Sequence, residues 1–259
     1  LGATAGMFGA LGENDLSQFT RDALLQEGID ISRLILKKGA NPIYSTIVID
    51  QRTGERTIFY AMNGFNPIDA SAIPPDLLAD VRILFIDSYV LAQFPTMFSL
   101  ARERGIPIVA DIETTRILDF PEEFNAIDHL ILSRSLAAEM TRSSDPEEIL
   151  MRLESPARRC SVITQGDQGC WIRLEAGSVY HLPAYEVDVV DTTGCGDVFH
   201  GAYAAALIHG EDPLEAVQWA SAAAALKATR PGGREGIPTL SVLKNFLNEQ
   251  SHIGLRKIL

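Results

Sequence analysis

The segment DTTGCGD, residues 191–197, contains two glycines and leads directly into the apolar run VFHGAYAAAL at 198–207. A polar, glycine-rich turn that opens into an apolar run is typical of the start of a buried helix. The first backbone N–H groups of a helix have no intrahelical acceptor, and the helix dipole adds positive potential at the same end. The segment therefore predicts a helix over 196–209 with an anion site at its start.

Upstream of this segment, short apolar runs alternate with helical patterns, and this alternation determines the fold class. The predicted strands are 83–86, 107–110, 129–132 and 161–164, and the predicted helices are 94–104, 135–153, 213–227 and 239–248. Strand, helix and strand repeated with short turns is typical of a parallel sheet covered by helices.

The N-terminal quarter has a different pattern. Apolar residues at helical spacing predict an amphipathic helix over 16–27 with Asp15 as its N-cap, and the apolar stretch 5–11 is compatible with a buried strand. Two β-branched stretches, 43–49 and 55–62, predict a hairpin whose turn contains Gly54.

Composition limits the partners of the chain. Its 259 residues include 22 Lys and Arg against 34 Asp and Glu, a net charge of −12, which repels nucleic acid and anionic membrane surfaces. No apolar stretch approaches the roughly 18 residues of a membrane span, and the first residues show neither the basic region nor the apolar region of a secretory signal. The three cysteines form no disulfide or zinc pattern. We therefore expect a cytoplasmic protein with neither nucleic-acid nor membrane partners.

Asp197 lies inside the predicted anion site. A carboxylate in the first turn of a helix often only caps the helix. Here the flanking glycines allow a ligand to approach closely, and a carboxylate beside a bound phosphate can take the proton of an attacking hydroxyl. The pattern favours phosphoryl transfer over capping alone. A nucleophilic role for the Cys195 thiol is disfavoured, because His200 is the only candidate base nearby.

The run DTTGCGDVFHGAYAAAL, residues 191–207, resembles the C-terminal signature of the ribokinase-like, or PfkB, carbohydrate kinases, written D-T-x-G-A/C-G-D-x-F. Other segments resemble the family in the same order, and together they cover nearly the whole chain: 1–30, GERTIFY at 54–60, GIPIVADIETTR at 105–116, VITQGDQGCWI at 162–172 and AAAALKATRPGGREGIP at 222–238. The resemblance implies a single domain over 1–259. Its fold would be a three-layer α/β/α arrangement with a mostly parallel central sheet and a small β-sheet lid, to which about 38–64 contribute.

The same resemblance implies an ATP-dependent sugar kinase that phosphorylates a hydroxyl of a ribose-like or fructose-like carbohydrate. Asp197 would be the general base, and the amides around Gly194, Cys195 and Gly196 would stabilise the transferring phosphoryl group. Two alternatives stay open on the same fold: a nucleoside kinase, and a regulator that binds sugar or nucleotide without catalysis. A dinucleotide-dependent oxidoreductase is disfavoured, because the glycines near the N-terminus lack G-x-G-x-x-G spacing.

Further site residues are implied by the family pattern alone. Thr164 and Gly166 would contact ATP from a second loop, together with Thr192 and Thr193. Four residues would form a monovalent-cation site for K⁺, in which the loop binds through backbone carbonyls: Asp191, Arg230, Gly232 and Gly236. ATP would bring Mg²⁺, although the family's Asn-x-x-Glu element is replaced by SRSL at 133–136. Asp111, Glu113 or Glu139 are the carboxylates that could substitute for it.

Two more expectations concern the ends and the edges of the fold. Relatives carry a strand with a substrate-binding Asp, a Gly-Gly element and a helix before the region that resembles Leu1, and we expect that such a segment is omitted here. In the family the lid often pairs with a second subunit, so a homodimer is expected.

His129 is expected at the surface or in a loop, because its spacing to the other histidines forms no pattern.

Overall fold

A computed structural model describes residues 1–49, 56–64, 68–69 and 73–259. The strands are β1 Ala10–Leu11, β2 Ile35–Leu36, β3 Tyr44–Ile49, β4 Arg56–Ala61, β5 Leu84–Asp87, β6 Ile108–Asp111, β7 His129–Ser133, β8 Cys160–Thr164, β9 Cys170–Leu174, β10 Val179–Leu182 and β11 Arg256–Lys257. The helices are α1 Asp15–Gln26, α2 Ser88–Gln93, α3 Pro95–Glu103, α4 Pro121–Ala126, α5 Arg134–Thr141, α6 Pro146–Arg152, α7 Cys195–His209, α8 Pro213–Ala228 and α9 Leu240–Glu249.

The chain divides into two compact units. The larger unit comprises Leu78–Leu259 together with Leu1–Ala3, and the smaller unit is Thr4–Leu77. The larger unit contains a seven-stranded sheet in the order β11-β10-β9-β8-β7-β6-β5. Strands β5 to β8 are parallel, and β9, β10 and β11 each run antiparallel to their neighbour. The predicted α/β fold with a mostly parallel sheet is confirmed, whereas the prediction of a single domain stays a prediction.

Helices bury both faces of the central strands. Because successive strand residues point to opposite faces, Ile131 and Val162 join the core cluster formed with α7 and α8, while Leu132 and Ile163 are buried outside that cluster. Helices α5 and α6 contact β7 and β8. The α7–α8 interface is rich in small residues such as Ala206. No described helix is long and apolar enough to cross a membrane.

One buried polar pair connects the sheet to α7. His129, at the start of β7, is only 3% exposed, and its Nδ1 lies 2.8 Å from the hydroxyl of the fully buried Tyr203. The expected surface position of His129 is therefore wrong. Burial, followed by the charges of Arg159 and Arg158, lowers the pKa of His129 to about 4. The imidazole is thus neutral inside the folded protein at neutral pH.

The smaller unit contains β1 and β2, which pair in parallel, and helix α1. Asn14 is the N-cap of α1, because its side chain accepts a hydrogen bond from the Ser17 N–H at 2.9 Å. The predicted cap, Asp15, is instead the first helical residue. The predicted strand over 5–11 is wrong except for Ala10–Leu11 and an isolated bridge, since most side chains there are not buried.

Strands β3 and β4 form the predicted antiparallel hairpin, with Tyr44 paired to Ala61 and Ile49 to Arg56. This two-stranded sheet is separate from the large sheet. Its predicted turn at Gly54 lies outside the described residues. Phe59 and Tyr60 are more than 60% exposed, so the hairpin presents apolar side chains to solvent.

The titration of His129 leads to a prediction about stability. Its folded pKa of about 4 lies below the ordinary value of 6.5, so between these pH values the unfolded chain binds a proton that the folded protein does not. Proton binding by the unfolded chain lowers the free energy of unfolding. Above about pH 6.5 this loss is small, and it grows as the pH falls towards 4. Between about pH 7 and pH 5, wild type should lose about 2 kcal/mol more free energy of unfolding than His129→Gln, measured by denaturant titration. Equal pH dependence of the two proteins would contradict the prediction.

Candidate active site

The candidate site begins where α7 starts, at the carboxyl edge of the parallel strands. Gly194 is the N-cap of α7, with a left-handed φ of 76° that a side chain would strain. Asp111, the last residue of β6, lies 3.5 Å from the ring of His200 in α7. The helix start and the ends of the strands therefore share one side of the larger unit.

The turn before α7 is held by a carboxylate. Asp191 accepts a hydrogen bond from the Thr193 N–H at 2.8 Å on one oxygen and from the Gly232 N–H at 2.9 Å on the other. The bonds from Thr193, followed by the bond from Gly232, lower the pKa of Asp191 to about 2. Asp191 is therefore ionised and connects the turn at 191–194 to the loop that contains Gly232.

Two amides at the start of α7 are available to a ligand. The first α-helical bond of α7 runs from the Val198 N–H to the Gly194 carbonyl, and the N–H groups of Gly196 and Asp197 have no acceptor among the described residues. The Cys195 N–H, expected among the donors to phosphate, is instead directed at the Thr192 carbonyl, 3.2 Å away. The candidate anion site thus comprises the Gly196 and Asp197 amides, which lie at the positive end of the helix dipole.

Carboxylates surround this helix start. Asp197 is exposed to solvent. Burial raises the pKa of Asp111, the charge of His200 opposes this, and the negative charges of Asp197 and Asp87 add to the rise. Burial likewise raises the pKa of Glu113, with Asp111 and Asp197 contributing. Asp197 is therefore part of an acidic group at the carboxyl edge of the sheet.

His200 contacts the first turn of α7 and the sheet, a role that sequence analysis missed. It is buried, with Nδ1 2.8 Å from the Gly196 carbonyl and Nε2 3.3 Å from the Ile131 carbonyl of β7. Its position three residues after Asp197, within an otherwise apolar helix, was the available signal. The imidazole connects the turn that carries Asp197 to the sheet.

The second expected nucleotide loop follows β8 at the same carboxyl edge. The Thr164 hydroxyl lies 3.4 Å from the Leu132 carbonyl, and Gly166 adopts a left-handed φ of 56° at the start of a 3-10 turn. The Gln165 N–H donates to the Gly169 carbonyl at 2.8 Å, which closes this turn. Of the other two expected nucleotide contacts, Thr192 is exposed, while Thr193 donates its amide to Asp191.

The four residues expected to hold K⁺ lie around a lysine. Asp191 and Gly232 are hydrogen bonded, the Arg230 N–H donates to the Lys227 carbonyl at 3.2 Å, and a Cβ at Gly236 would lie 2.4 Å from that same carbonyl. Lys227 is fully buried, and its Nζ donates to the Asp191 main-chain carbonyl at 2.8 Å. Sequence analysis did not identify Lys227.

The residues present can accommodate ATP with Mg²⁺. In the described part of the chain, no group of three or more His, Cys, Asp or Glu is arranged to hold a metal. Mg²⁺ usually keeps several waters and needs only one or two carboxylates besides substrate phosphates, which Asp111 and its neighbour Glu113 fit. At the place of the missing Asn-x-x-Glu element, Ser133 caps α5 by accepting a 3.3 Å hydrogen bond from the Leu136 N–H.

A helix start with unbonded amides beside a carboxylate, at the carboxyl edge of a parallel α/β sheet, is typical of enzymes that transfer phosphoryl groups. A family model described as "pfkB family carbohydrate kinase" matches residues 1–240. The chain therefore belongs to the pfkB family of carbohydrate kinases, and the resemblance seen in the sequence is confirmed.

Individual relatives agree with this assignment. The ATP-dependent ribose-1-phosphate kinase of Halopiger xanaduensis is 28% identical over 255 residues, covering 95% of this chain and 81% of the relative. Fructokinase-1 of Oryza sativa is 26% identical over 274 residues, covering 94% and 83%. An E. coli protein described as ribokinase II, solved with ATP and Mg²⁺, superposes with a TM-score of 0.82 at 22% identity, covering 96% of this chain and 84% of that one.

The conformation of Gly194 leads to a prediction. A Cβ there would be 2.8 Å from the Gly233 carbonyl oxygen at a left-handed φ, so Gly194→Ala should cost at least about 2 kcal/mol and lower the thermal midpoint by several degrees. Displacement of the helix start should also lower kinase turnover. Gly201→Ala, on the same helix with no atom within 4 Å of the added Cβ, is the control and should not lose stability. Equal melting temperatures of the two variants would refute the argument.

Proposed function

We propose that this carbohydrate kinase transfers the γ-phosphoryl group of ATP to a hydroxyl of a ribose-like or fructose-like sugar, with Asp197 as the general base. The observation that carries the proposal is an exposed carboxylate next to two amides that have no acceptor among the described residues, on the first turn of a buried helix. This arrangement supports deprotonation of a hydroxyl and stabilisation of phosphate charge at the same point.

In the proposed reaction the sugar hydroxyl loses its proton to the Asp197 carboxylate as its oxygen attacks the γ-phosphorus. One P–O bond forms to the sugar, and the P–O bond to the ADP leaving group breaks. The amides of Gly196 and Asp197 donate to the oxygens of the transferring group, and loss of one such donor typically costs about 10²–10³ in rate. Bound Mg²⁺ supplies neutralisation of phosphate charge.

In this proposal, two loops bind the nucleotide. Thr164 and Gly166 lie at the end of β8, and Thr192 and Thr193 lie just before α7, so both loops end at the carboxyl edge where ligands of open α/β sheets bind. His200 is a positioning residue, because it touches the Gly196 carbonyl and the sheet and not the reacting atoms.

The substrate class is argued from the relatives and from the hairpin. One relative is described as a fructokinase and another as a ribose-1-phosphate kinase, which supports a small sugar as acceptor. We further propose that about 38–64 form the lid, and that the exposed apolar faces of β3 and β4 pair with a second subunit, because an isolated two-stranded hairpin is marginally stable. A nucleoside acceptor is the second candidate.

The experiment that tests the function measures ADP release by the full-length protein with ATP and Mg²⁺. Separate reactions contain D-ribose, D-fructose, ribose 1-phosphate or a nucleoside, and a reaction without acceptor gives the background. Acceptor-dependent ADP release with one of the sugars supports the proposal. Release with only the nucleoside favours the second candidate, and ATP binding with no release for any acceptor favours a non-catalytic regulator.

Asp197→Asn tests the assigned base. The variant should bind ATP nearly as wild type does, while acceptor-dependent ADP formation falls by about 10²–10⁴, because the amide cannot take the hydroxyl proton. Glu249→Gln, the same change of charge at an exposed residue at the end of α9, is the matched control and should keep full turnover. Wild-type turnover in Asp197→Asn would remove Asp197 from the proposed role.

A further inference from the structure

Lys227, in the last turn of α8, is the only lysine or arginine among the described residues whose side chain is fully buried at 0% exposure. Lysine is almost never fully buried unless it is paired. Its Nζ donates to the Asp191 main-chain carbonyl at 2.8 Å. The pKa of Asp191 is lowered mainly by hydrogen bonds from Thr193 and the pKa of Glu235 mainly by the Arg234 N–H, and the charge of Lys227 adds to both shifts. The ammonium group therefore lies near two carboxylates at the place where the family pattern predicts a monovalent cation.

The donors around Asp191 do not suit an added K⁺ ion. Each of the three oxygens of Asp191 already accepts a donor: the Thr193 N–H, the Gly232 N–H and the Lys227 ammonium. A second cation there would be repelled by the lysine charge, because unit charges a few ångströms apart interact strongly away from bulk water. A Cβ at Gly236 would lie 2.4 Å from the Lys227 carbonyl oxygen, so there is no space for a side chain at Gly236 beside the lysine backbone.

We propose that the Lys227 ammonium takes the place of the monovalent cation, holding the loop that contains Gly232 and the turn at 191–194 in the geometry needed for phosphoryl transfer. The inference rests on the proposed function. K⁺ and an ammonium group carry the same charge and have similar size, and a covalently attached cation is always present. Lys227 is a positioning residue, because it acts through Asp191 and not on the substrate.

Other hydrogen bonds connect the end of α8, where Lys227 lies, to the segment that precedes α7. The Ala228 carbonyl, next to Lys227, accepts the N–H groups of Val190 and Asp191 at 2.8 and 3.1 Å. The end of α8 is thus bonded to the segment that leads into the turn, and Asp191 in turn holds Thr193. Displacement of Lys227 would move the start of α7, and a misplacement of about 1 Å can cost about 10²-fold in rate.

The first test uses the wild-type full-length protein. Its acceptor-dependent ADP formation should be the same in potassium chloride and in choline chloride at equal ionic strength. Its thermal unfolding midpoint should likewise not be raised selectively by K⁺, a readout that needs no activity. Activation by K⁺ over choline, or a K⁺-selective rise of the midpoint, would overturn the proposal.

The second test uses Lys227→Ala, which removes the charge and leaves space. In choline chloride its kcat should fall by about 10²-fold, and K⁺ but not choline should restore part of the rate and raise the unfolding midpoint. Lys227→Met fills the space without charge and should not respond to K⁺. Lys244→Ala, at an exposed lysine of α9, should behave as wild type in both salts.

The outcomes separate the two proposals. Undiminished kcat of Lys227→Ala in choline chloride, or a folded variant that K⁺ neither activates nor stabilises, would overturn the role of Lys227. If wild type releases no ADP with any acceptor, the proposed function fails, while the unfolding midpoints in the two salts still decide whether Lys227 replaces the cation. If Lys227→Ala does not fold, the salt comparison of wild type decides alone.

Discussion

The ionised carboxylate of Asp191 is the constraint on which the site depends. Its two oxygens hold the Thr193 and Gly232 amides, so one side chain fixes both the turn before α7 and the loop after α8. A carboxylate that accepts backbone N–H bonds is strongly favoured in its charged form, so Asp191 stays ionised well below neutral pH. The position of the turn that leads into the candidate anion site follows from it.

The elements of the larger unit were predictable because hydrophobic periodicity directly reflects burial on a sheet or helix face. The prediction was wrong where local chain chemistry interrupts a pattern. The helix expected over 135–153 is two helices, because Arg142 adopts a left-handed φ of 53° and Pro146 starts α6. Helices α2 and α4, six residues each, are too short to show a helical period.

Only the part of the candidate site that lies within one short stretch of sequence could be predicted. The turn at 191–197 contains both the amides of the candidate anion site and the proposed base, so Asp197 could be singled out from the sequence. His200, Lys227 and the buried His129 could not be placed, because the bonds that fix them to distant parts of the fold span 36 or more residues of the chain and no local pattern specifies them. The sequence likewise could not show that the Cys195 N–H is directed at the Thr192 carbonyl within the turn.

Helix α7 is apolar on nearly every side and is packed between the sheet and α8, yet its first turn carries the proposed base. Segments so deeply embedded open only when the whole unit does, whereas most enzymes place reactive groups on loops with low local stability. Hydrogen exchange along the middle of this helix should thus be among the slowest in the protein. Heat inactivation should accordingly coincide with cooperative melting and not precede it.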